Sequence, residues 1–284
     1  MTIRQMTTAM FRQLAAQYPG TEIESFARIL FRHYLNMTAA QLHLMQDSEL
    51  SSEAEHQIVT AISELQKNRP IQYILGETEF YGLPFDLTPD VLIPRPETEE
   101  LTDWIVRKYP RDARLTIVDI GTGSGCIAVA LASNFHNADV WAVDISEAAL
   151  AVAEKNTLKN RVKVHFLLED VLNSGLMGFK PASLDVIVSN PPYVTPSEKG
   201  QILPNVLDYE PHIALFVPDE DPILFYRPVA DFGLEKLTAN GLLYLEINTM
   251  HSEMIYSILS QKGYRHIEIL NDLAGKERFI KASK

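Results

Sequence analysis

The sequence has one cysteine, Cys126, among its 284 residues. No disulfide can close within the chain, and a reducing compartment, the cytoplasm, is expected. No apolar run approaches the ~20 residues of a membrane span. The opening residues also lack the apolar core and small-residue cleavage site of a secretory leader, so neither is expected. Positive charge is scarce: 25 Lys and Arg stand against 37 Asp and Glu, a formal net charge of −12. Nucleic-acid binding rests on cations that neutralise phosphates, so stable binding to nucleic acid is not expected. The eight histidines show neither metal-ligand spacing nor a partner, so no metal and no histidine base is assigned. Internal repeats and low-complexity segments are missing. What is left, 46% hydrophobic and 22% charged, suffices for one large domain and a smaller one.

Residues 1–70 read as a small all-helical domain. Phe11, Leu14, Ala15 and Tyr18 recur at helical spacing, as do Phe26, Ile29, Leu30 and Leu35, then Ile58, Ala61, Ile62 and Leu65. Thr21, and Ser51 or Ser52 ahead of Glu53 and Glu55, are the N-cap candidates. Six basic residues against seven acidic ones leave no basic arm in this stretch, and its expected role is protein contact or support. Arg69-Pro70 breaks the pattern. Residues 71–95 read as a linker carrying a short hairpin, with aromatics alternating around Gly82 and Pro84.

A third segment, 96–284, opens with Pro96 in the first turn of a helix, acids Glu97, Glu99 and Glu100 at its positive end and Arg107-Lys108 at its close. From Leu115 the texture alternates. Strands are expected near 115–120, 139–144, 162–168, 184–189 and 241–247, and helices near 125–134, 146–158, 222–239 and 250–262. Two late strands near 264–270 and 277–281 read as a hairpin. The pattern predicts an α/β fold, a mainly parallel sheet covered on both faces, with ligands at the carboxyl ends of its strands.

Three of those strand ends carry acids. Asp119-Ile120-Gly121-Thr122-Gly123-Ser124-Gly125 lies between an apolar strand and an apolar helix, the arrangement in which backbone N–H groups face a ligand at close range. A dinucleotide fingerprint wants a glycine after Gly125, where this chain has Cys126. Asp144 ends the next strand, placed to accept both hydroxyls of a ribose. Asp170 ends the one after, placed to receive an adenine amino group, with Val171 beside it. Successive acids suit a nucleoside without phosphates; S-adenosylmethionine, with its sulfonium and ammonium cations, fits those charges.

The fourth strand end is Asn190-Pro191-Pro192-Tyr193, directly after the apolar run Val186-Ile187-Val188. Two prolines cannot continue a sheet, and they stiffen a loop that presents carbonyls, one amide and one ring. Such a loop suits a planar –NH2 group: the Asn190 side-chain oxygen and the Pro191 carbonyl accept its two hydrogens, and Tyr193 stacks on its face.

Taken together, the chain resembles the release-factor glutamine methyltransferases, the HemK-type enzymes, over nearly its whole length. The matching pieces are Arg69-Pro-Ile-Gln-Tyr-Ile-Leu-Gly76, Val91-Leu-Ile-Pro-Arg-Pro-Glu-Thr-Glu99, Asp119 to Gly125, Val188-Ser-Asn-Pro-Pro-Tyr193 and Glu210-Pro-His-Ile-Ala-Leu215. The resemblance implies a Rossmann-like class I methyltransferase domain behind a helical N-terminal domain. It implies transfer of a methyl group from S-adenosylmethionine, leaving S-adenosylhomocysteine, to the glutamine N5 in the Gly-Gly-Gln loop of class-1 peptide chain release factors. Carried over by position, Gly121, Thr122, Gly123, Ser124, Gly125, Asp144, Asp170, Val171 and Asn190 hold the cofactor, and Asn190, Pro191, Pro192 and Tyr193 the glutamine amide. Two positions depart from the family pattern: Val171, where relatives often place an aromatic, and Asn248, where relatives commonly have glycine. The alternatives are an adenine-N6 nucleic-acid methyltransferase, which shares the tetrad, a methyltransferase for a ribosomal-protein glutamine, and a cofactor-binding regulator without turnover.

Overall fold

The computed structural model describes residues 1–173 and 178–284. Two compact units emerge, Met1–Gly76 together with Leu203–Tyr209, and Glu77–Ile202 together with Glu210–Lys284.

The first unit is helical. Helices α1 (Ile3–Leu14), α2 (Gly20–Leu35), α3 (Ala39–Leu44), α4 (Ser52–Leu65) and α5 (Ile71–Leu75) follow in order. Their apolar stripes bury Met6, Met10, Leu14, Ile23, Leu30, Ile58, Ile62 and Leu65 in a single cluster. Thr2 caps α1 in a reciprocal box with Gln5, and Ser51 caps α4 through the Ala54 N–H. Thr21 is no cap: α2 begins one residue before it, because the Pro19 carbonyl already accepts the N–H groups of Glu22 and Ile23. The segment Leu203–Tyr209 joins this unit, its Tyr209 hydroxyl donating to the Lys67 carbonyl at 2.7 Å.

The second unit opens with an antiparallel hairpin, β1 (Glu77–Phe80) and β2 (Leu83–Asp86), then α6 (Pro96–Lys108). There follow β3 (Thr116–Ile120), α7 (Cys126–Asn134), β4 (Asp139–Asp144), α8 (Glu147–Lys159), β5 (His165–Leu168) and β6 (Leu184–Ser189). The remainder comprises α9 (Tyr226–Lys236), β7 (Leu237–Glu246), α10 (Ser252–Lys262), β8 (Arg265–Asn271) and β9 (Glu277–Ser283). Seven strands form one sheet in the order β5-β4-β3-β6-β7-β9-β8. Its first five strands are parallel, and β9 inserts antiparallel between β7 and β8. Alternate residues of β6 serve opposite faces: Ile187 packs in one core cluster with Tyr226, Val229 and Leu259, while Val186 and Val188 pack in the other with Leu101, Ala128 and Phe279.

The two largest boundary shifts from the sequence expectation have local causes. Helix α9 starts at Tyr226, not near 222, since Pro228 lacks an N–H to donate and is accommodated only in a first turn. Strand β7 begins at Leu237, before 241, through an irregularity in its pairing with β6 between Leu184 and Val186.

Asn156, fully buried on α8, ties the hairpin to this framework. Its Oδ1 accepts the Asp86 N–H at 2.6 Å, and its Nδ2 donates to the carbonyls of Asp86 and Ser124 at 3.0 and 2.9 Å. Replacing Asn156 with Ala strands these buried backbone groups and should lower stability by about 2–4 kcal/mol, read by chemical denaturation. A change under about 0.5 kcal/mol would mean that the hairpin is held otherwise.

Candidate active site

Strand order creates the site. The chain runs outward from β3 through β4 to β5 and then returns to β6 on the other side of β3, so the carboxyl ends of β3 and β6 lie next to each other at a topological switch point. Ile120 pairs with both Val143 and Ser189, and the Ser189 hydroxyl donates to the Ile120 carbonyl at 2.7 Å. The two loops that leave these ends, Gly121–Gly125 and Asn190–Tyr193, border one cavity of about 300 Å³. The remaining walls come from Asp144 and Ile145, from Glu169 to Leu172, and from Leu92, Ile213 and Phe225.

The glycine loop needs its glycines for two reasons. Gly121 and Gly123 take φ of +75° and +55°, and neither has a neighbouring atom within 4 Å of a would-be Cβ, so both leave room on the cavity side. Gly125, at φ +79°, is tight instead: a Cβ there would lie 2.9 Å from that of Ala153 on α8. It begins α7 and sets helix packing, away from the cavity wall. Thr122 and Ser124 are likewise buried behind the loop. The Thr122 hydroxyl donates to Asp119 Oδ2 at 2.6 Å, and the Ser124 carbonyl accepts from Asn156.

Asp144 lines the cavity with its carboxylate already fixed. Oδ2 accepts the Gly123 N–H at 2.8 Å and Oδ1 the Ser146 N–H at 3.0 Å, which leaves one lone pair on each oxygen for a ligand diol. Burial pushes its pKa up, against the pull of those N–H groups. Asp170 also reaches the cavity wall while closing a local turn, its oxygens accepting the Leu172 N–H and the Asn173 amide. Val171 lies beside it on the wall, an aliphatic face where an aromatic was the family expectation. Glu169, which the sequence reading passed over, contributes to the same wall and carries a buried Oε2 without a partner among the described residues.

Of the tetrad, Asn190, Pro191 and Pro192 border the cavity, and Tyr193 does not. The Tyr193 ring packs, partly buried, against the sheet core, and its hydroxyl donates to Glu246 Oε1 at 3.3 Å, which ties the tetrad to strand β7. Glu246 ends β7, 1% exposed. Its Oε2 accepts the Thr98 hydroxyl at 2.7 Å, and the same hydroxyl oxygen accepts Asn190 Nδ2 at 3.1 Å. In the sequence Thr98 stood out only as a member of the motif Val91–Glu99, and Glu246 did not stand out; nothing local links residues 148 apart. A second pair has the same character. Arg95 meets the buried Glu210 at 2.6 Å, and Glu210 also accepts the Ile93 N–H, so the motifs Val91–Glu99 and Glu210–Leu215 join in one contact. The departure at Asn248 also has a place: its side chain donates to the Tyr193 carbonyl at 3.3 Å and to Glu198 at 3.0 Å. Burial of Glu198 is outweighed by the hydrogen bonds from Thr195 and Asn248, which hold its pKa below the usual range. Asn248 thus clamps the loop after the tetrad, which glycine could not do.

Cys126 is buried with its thiol pushed up to about 12 by desolvation, first, and the nearby Asp119 charge, so it stays a protonated small hydrophobe. Among the described residues no group of His, Cys, Asp and Glu is placed to hold a metal, and no helix is long and apolar enough to cross a membrane.

A glycine loop open on its ligand side, acids at the next two strand ends and an amide-proline loop across the switch point fit a nucleoside-bearing sulfonium donor. Fold and site together define an S-adenosylmethionine-dependent methyltransferase. Residues 97–208 match the family model of the methyltransferase small domain, and residues 5–76 that of the PrmC N-terminal domain. The chain is 42% identical to a release factor glutamine methyltransferase of Flavobacterium psychrophilum, across 100% of this chain and 99% of that one. It is 45% identical to one of Bacteroides thetaiotaomicron, across 98% and 99%. The chain belongs to the release factor glutamine methyltransferases. At the level of fold it is similar to a solved methyltransferase from Pyrococcus furiosus, with a TM-score of 0.53 at 18% identity over 82% of this chain and 99% of that one. It is similar too to a 16S rRNA methyltransferase of T. thermophilus solved with AdoMet and guanosine, with a TM-score of 0.53 at 20% identity over 73% and 49%.

Two buried carboxyls make stability depend on pH. Desolvation is the main cause that pushes Asp119 up to about 7, against hydrogen bonds from Thr122 and the Ala128 N–H, with the Asp144 charge adding to the rise. Desolvation likewise pushes Glu246 up to about 7, against the Thr98 hydroxyl and Arg278. The folded state therefore binds these protons more tightly than the unfolded chain, and the associated stability is lost as pH rises from about 4 through 7. Asp119→Asn removes one such ionisation. Its stability relative to the unsubstituted protein should grow from pH 5 to pH 8, by on the order of a few kcal/mol. Chemical denaturation across that range measures it, and a difference independent of pH would contradict the assignment.

Proposed function

We propose that this chain transfers the methyl group of S-adenosylmethionine to the side-chain amide nitrogen of the glutamine in the Gly-Gly-Gln loop of class-1 peptide chain release factors. One observation carries the reading: the amide and carbonyls of Asn190-Pro191-Pro192 border the same cavity as the glycine loop and Asp144. Membership of the family supplies the acceptor. A substrate of the translation apparatus implies a cytoplasmic enzyme.

When bound, the cofactor supplies an electrophilic methyl group on a sulfonium. The chain's residues have three tasks. Gly121 and Gly123 let backbone approach the donor, and Asp144 binds its ribose hydroxyls. Asp170 and Val171 bound the adenine end, where the carboxylate receives an amino group. Asn190 Oδ1 and the Pro191 carbonyl accept the two N–H bonds of the glutamine amide, which orients the nitrogen and opposes delocalisation of its lone pair. Positioning of this kind supplies up to roughly 7–11 kcal/mol of a barrier, so no strong base is required. The proton lost as the C–N bond forms leaves to solvent or a nearby carbonyl. The helical unit Met1–Gly76 contributes to gripping the protein substrate; KM for an intact release factor should then fall below that for a free Gly-Gly-Gln peptide, and equal values would remove that role.

Labelled S-adenosylmethionine should transfer its methyl group to a purified release factor and not to one whose Gly-Gly-Gln glutamine is replaced. No transfer to either, with cofactor binding intact, would reject the acceptor and redirect attention to nucleic acid or another protein glutamine. Asn190→Ala should lower kcat on the order of 10²-fold or more at saturating cofactor, a loss comparable to that of an oxyanion-hole donor. Asp144→Ala should weaken cofactor binding by about 1.5–3 kcal/mol in calorimetry, the worth of a hydrogen bond to a charged group. Unchanged affinity would take the ribose from Asp144.

A further inference from the structure

We infer that Thr98 and Glu246 are positioning residues that set which way the Asn190 amide faces, and so turn Asn190 Oδ1 toward the substrate. The inference rests on the proposed methylation of a glutamine amide, which requires an acceptor at that point.

Proton counts fix the orientation of the amide. Thr98 has a single hydroxyl proton, and it goes to Glu246 Oε2 at 2.7 Å. In the ionised form of Glu246 the other carboxylate oxygen is taken by the Tyr193 hydroxyl, so both oxygens act as acceptors. Toward Asn190 the Thr98 oxygen can then only accept, and at 3.1 Å the group that meets it has to be Nδ2. The amide is planar. Directing Nδ2 at Thr98 directs Oδ1 the opposite way, and the reverse orientation would press two acceptor oxygens together at that distance. All three anchors are immobile: Thr98 is 3% exposed in the first turn of α6, Glu246 1% exposed at the end of β7, and Asn190 follows β6 directly. At Thr98 and Glu246 burial keeps water from replacing either partner. The chain thus converts a buried carboxylate on one strand into the orientation of a dipole on its neighbour.

The test uses the full chain with release factor as methyl acceptor. Thr98→Val keeps shape and removes the acceptor; Thr98→Ser keeps the hydroxyl. Thr98→Val should lower kcat about tenfold, the rate equivalent of about 1.4 kcal/mol, with KM for the release factor and cofactor affinity within about twofold. Thr98→Ser should retain full turnover. Because Thr98 acts through Asn190, Thr98→Val should cost nothing further in an Asn190→Ala background. A wild-type kcat for Thr98→Val, or the same tenfold loss in that background, would overturn the inference. Asn190→Asp keeps an acceptor on the cavity side but sets a second one against Thr98. It should lose as much activity as Asn190→Ala, and retained activity would likewise overturn the inference. A readout independent of the acceptor keeps the two readings apart. The Asn190 side-chain amide protons, identified by their loss in Asn190→Ala, should exchange slowly with solvent and faster in Thr98→Val. Unchanged exchange rejects the orientation device, whereas slowed exchange together with no methylation of release factor rejects only the substrate.

Discussion

The pairing of Ile120 with Ser189 is the contact on which the site depends. Wherever a parallel sheet reverses its direction of winding, two neighbouring strands send their following loops to opposite faces, and a crevice opens between them. Here one loop is built from glycines and the other from prolines. The first is permissive, so backbone can approach a ligand; the second is stiff, so its carbonyls stay where the strand delivers them. A one-residue slip between β3 and β6 would exchange the two core faces along the whole of β6, setting Ile187 into the cluster that Val186 and Val188 fill.

Around that crevice the chain accepts an electrostatic burden. Asp119 and Glu246 are carboxyls held in places where water cannot reach them, and a hydrophobic pair of equal volume would serve the sheet better. Each holds a neighbour that borders or supports the cavity: Asp119 the Thr122 hydroxyl, Glu246 those of Thr98 and Tyr193. Arg95 and Glu210 repeat the theme, joining two loops 115 residues apart with a buried ion pair. Polar groups inside this domain are concentrated where orientation matters, in keeping with a site that works by placing its substrates.

Much of this was legible in the sequence, for identifiable reasons. Strands β4 and β6 could be bounded to the residue, because each is an apolar run stopped by an acid or by a proline loop. The glycine loop, Asp144 and the tetrad announced themselves through backbone chemistry that few other residues permit. What stayed hidden was tertiary pairing. No local pattern says that Thr98 meets Glu246, that Arg95 meets Glu210, or that Asn156 carries a hairpin. Tyr193 was read as a stacking ring because it follows two prolines at a strand end; its hydroxyl's tie to Glu246 depends on strand β7, which arrives later in the chain. Thr122, Ser124 and Gly125 were assigned to the cofactor by position in the resemblance; in the structure Thr122 and Ser124 are buried and Gly125 packs on Ala153. The start of α9 failed for a different reason: apolar periodicity ran through Pro228, and the proline's steric demand outranked it.

The same switch point has a kinetic side. Ile120 and Ser189 stand 69 residues apart, and the loop their pairing closes contains β4, α8 and β5. Pairing of β3 with β4 is far more local and can form early; pairing of β3 with β6 must wait until the intervening crossover has collapsed. A partly folded chain therefore possesses the glycine loop and Asp144 before it possesses the wall that faces them. Contact order thus predicts that the crevice closes late in folding, the glycine loop and Asp144 being in place before the proline loop faces them.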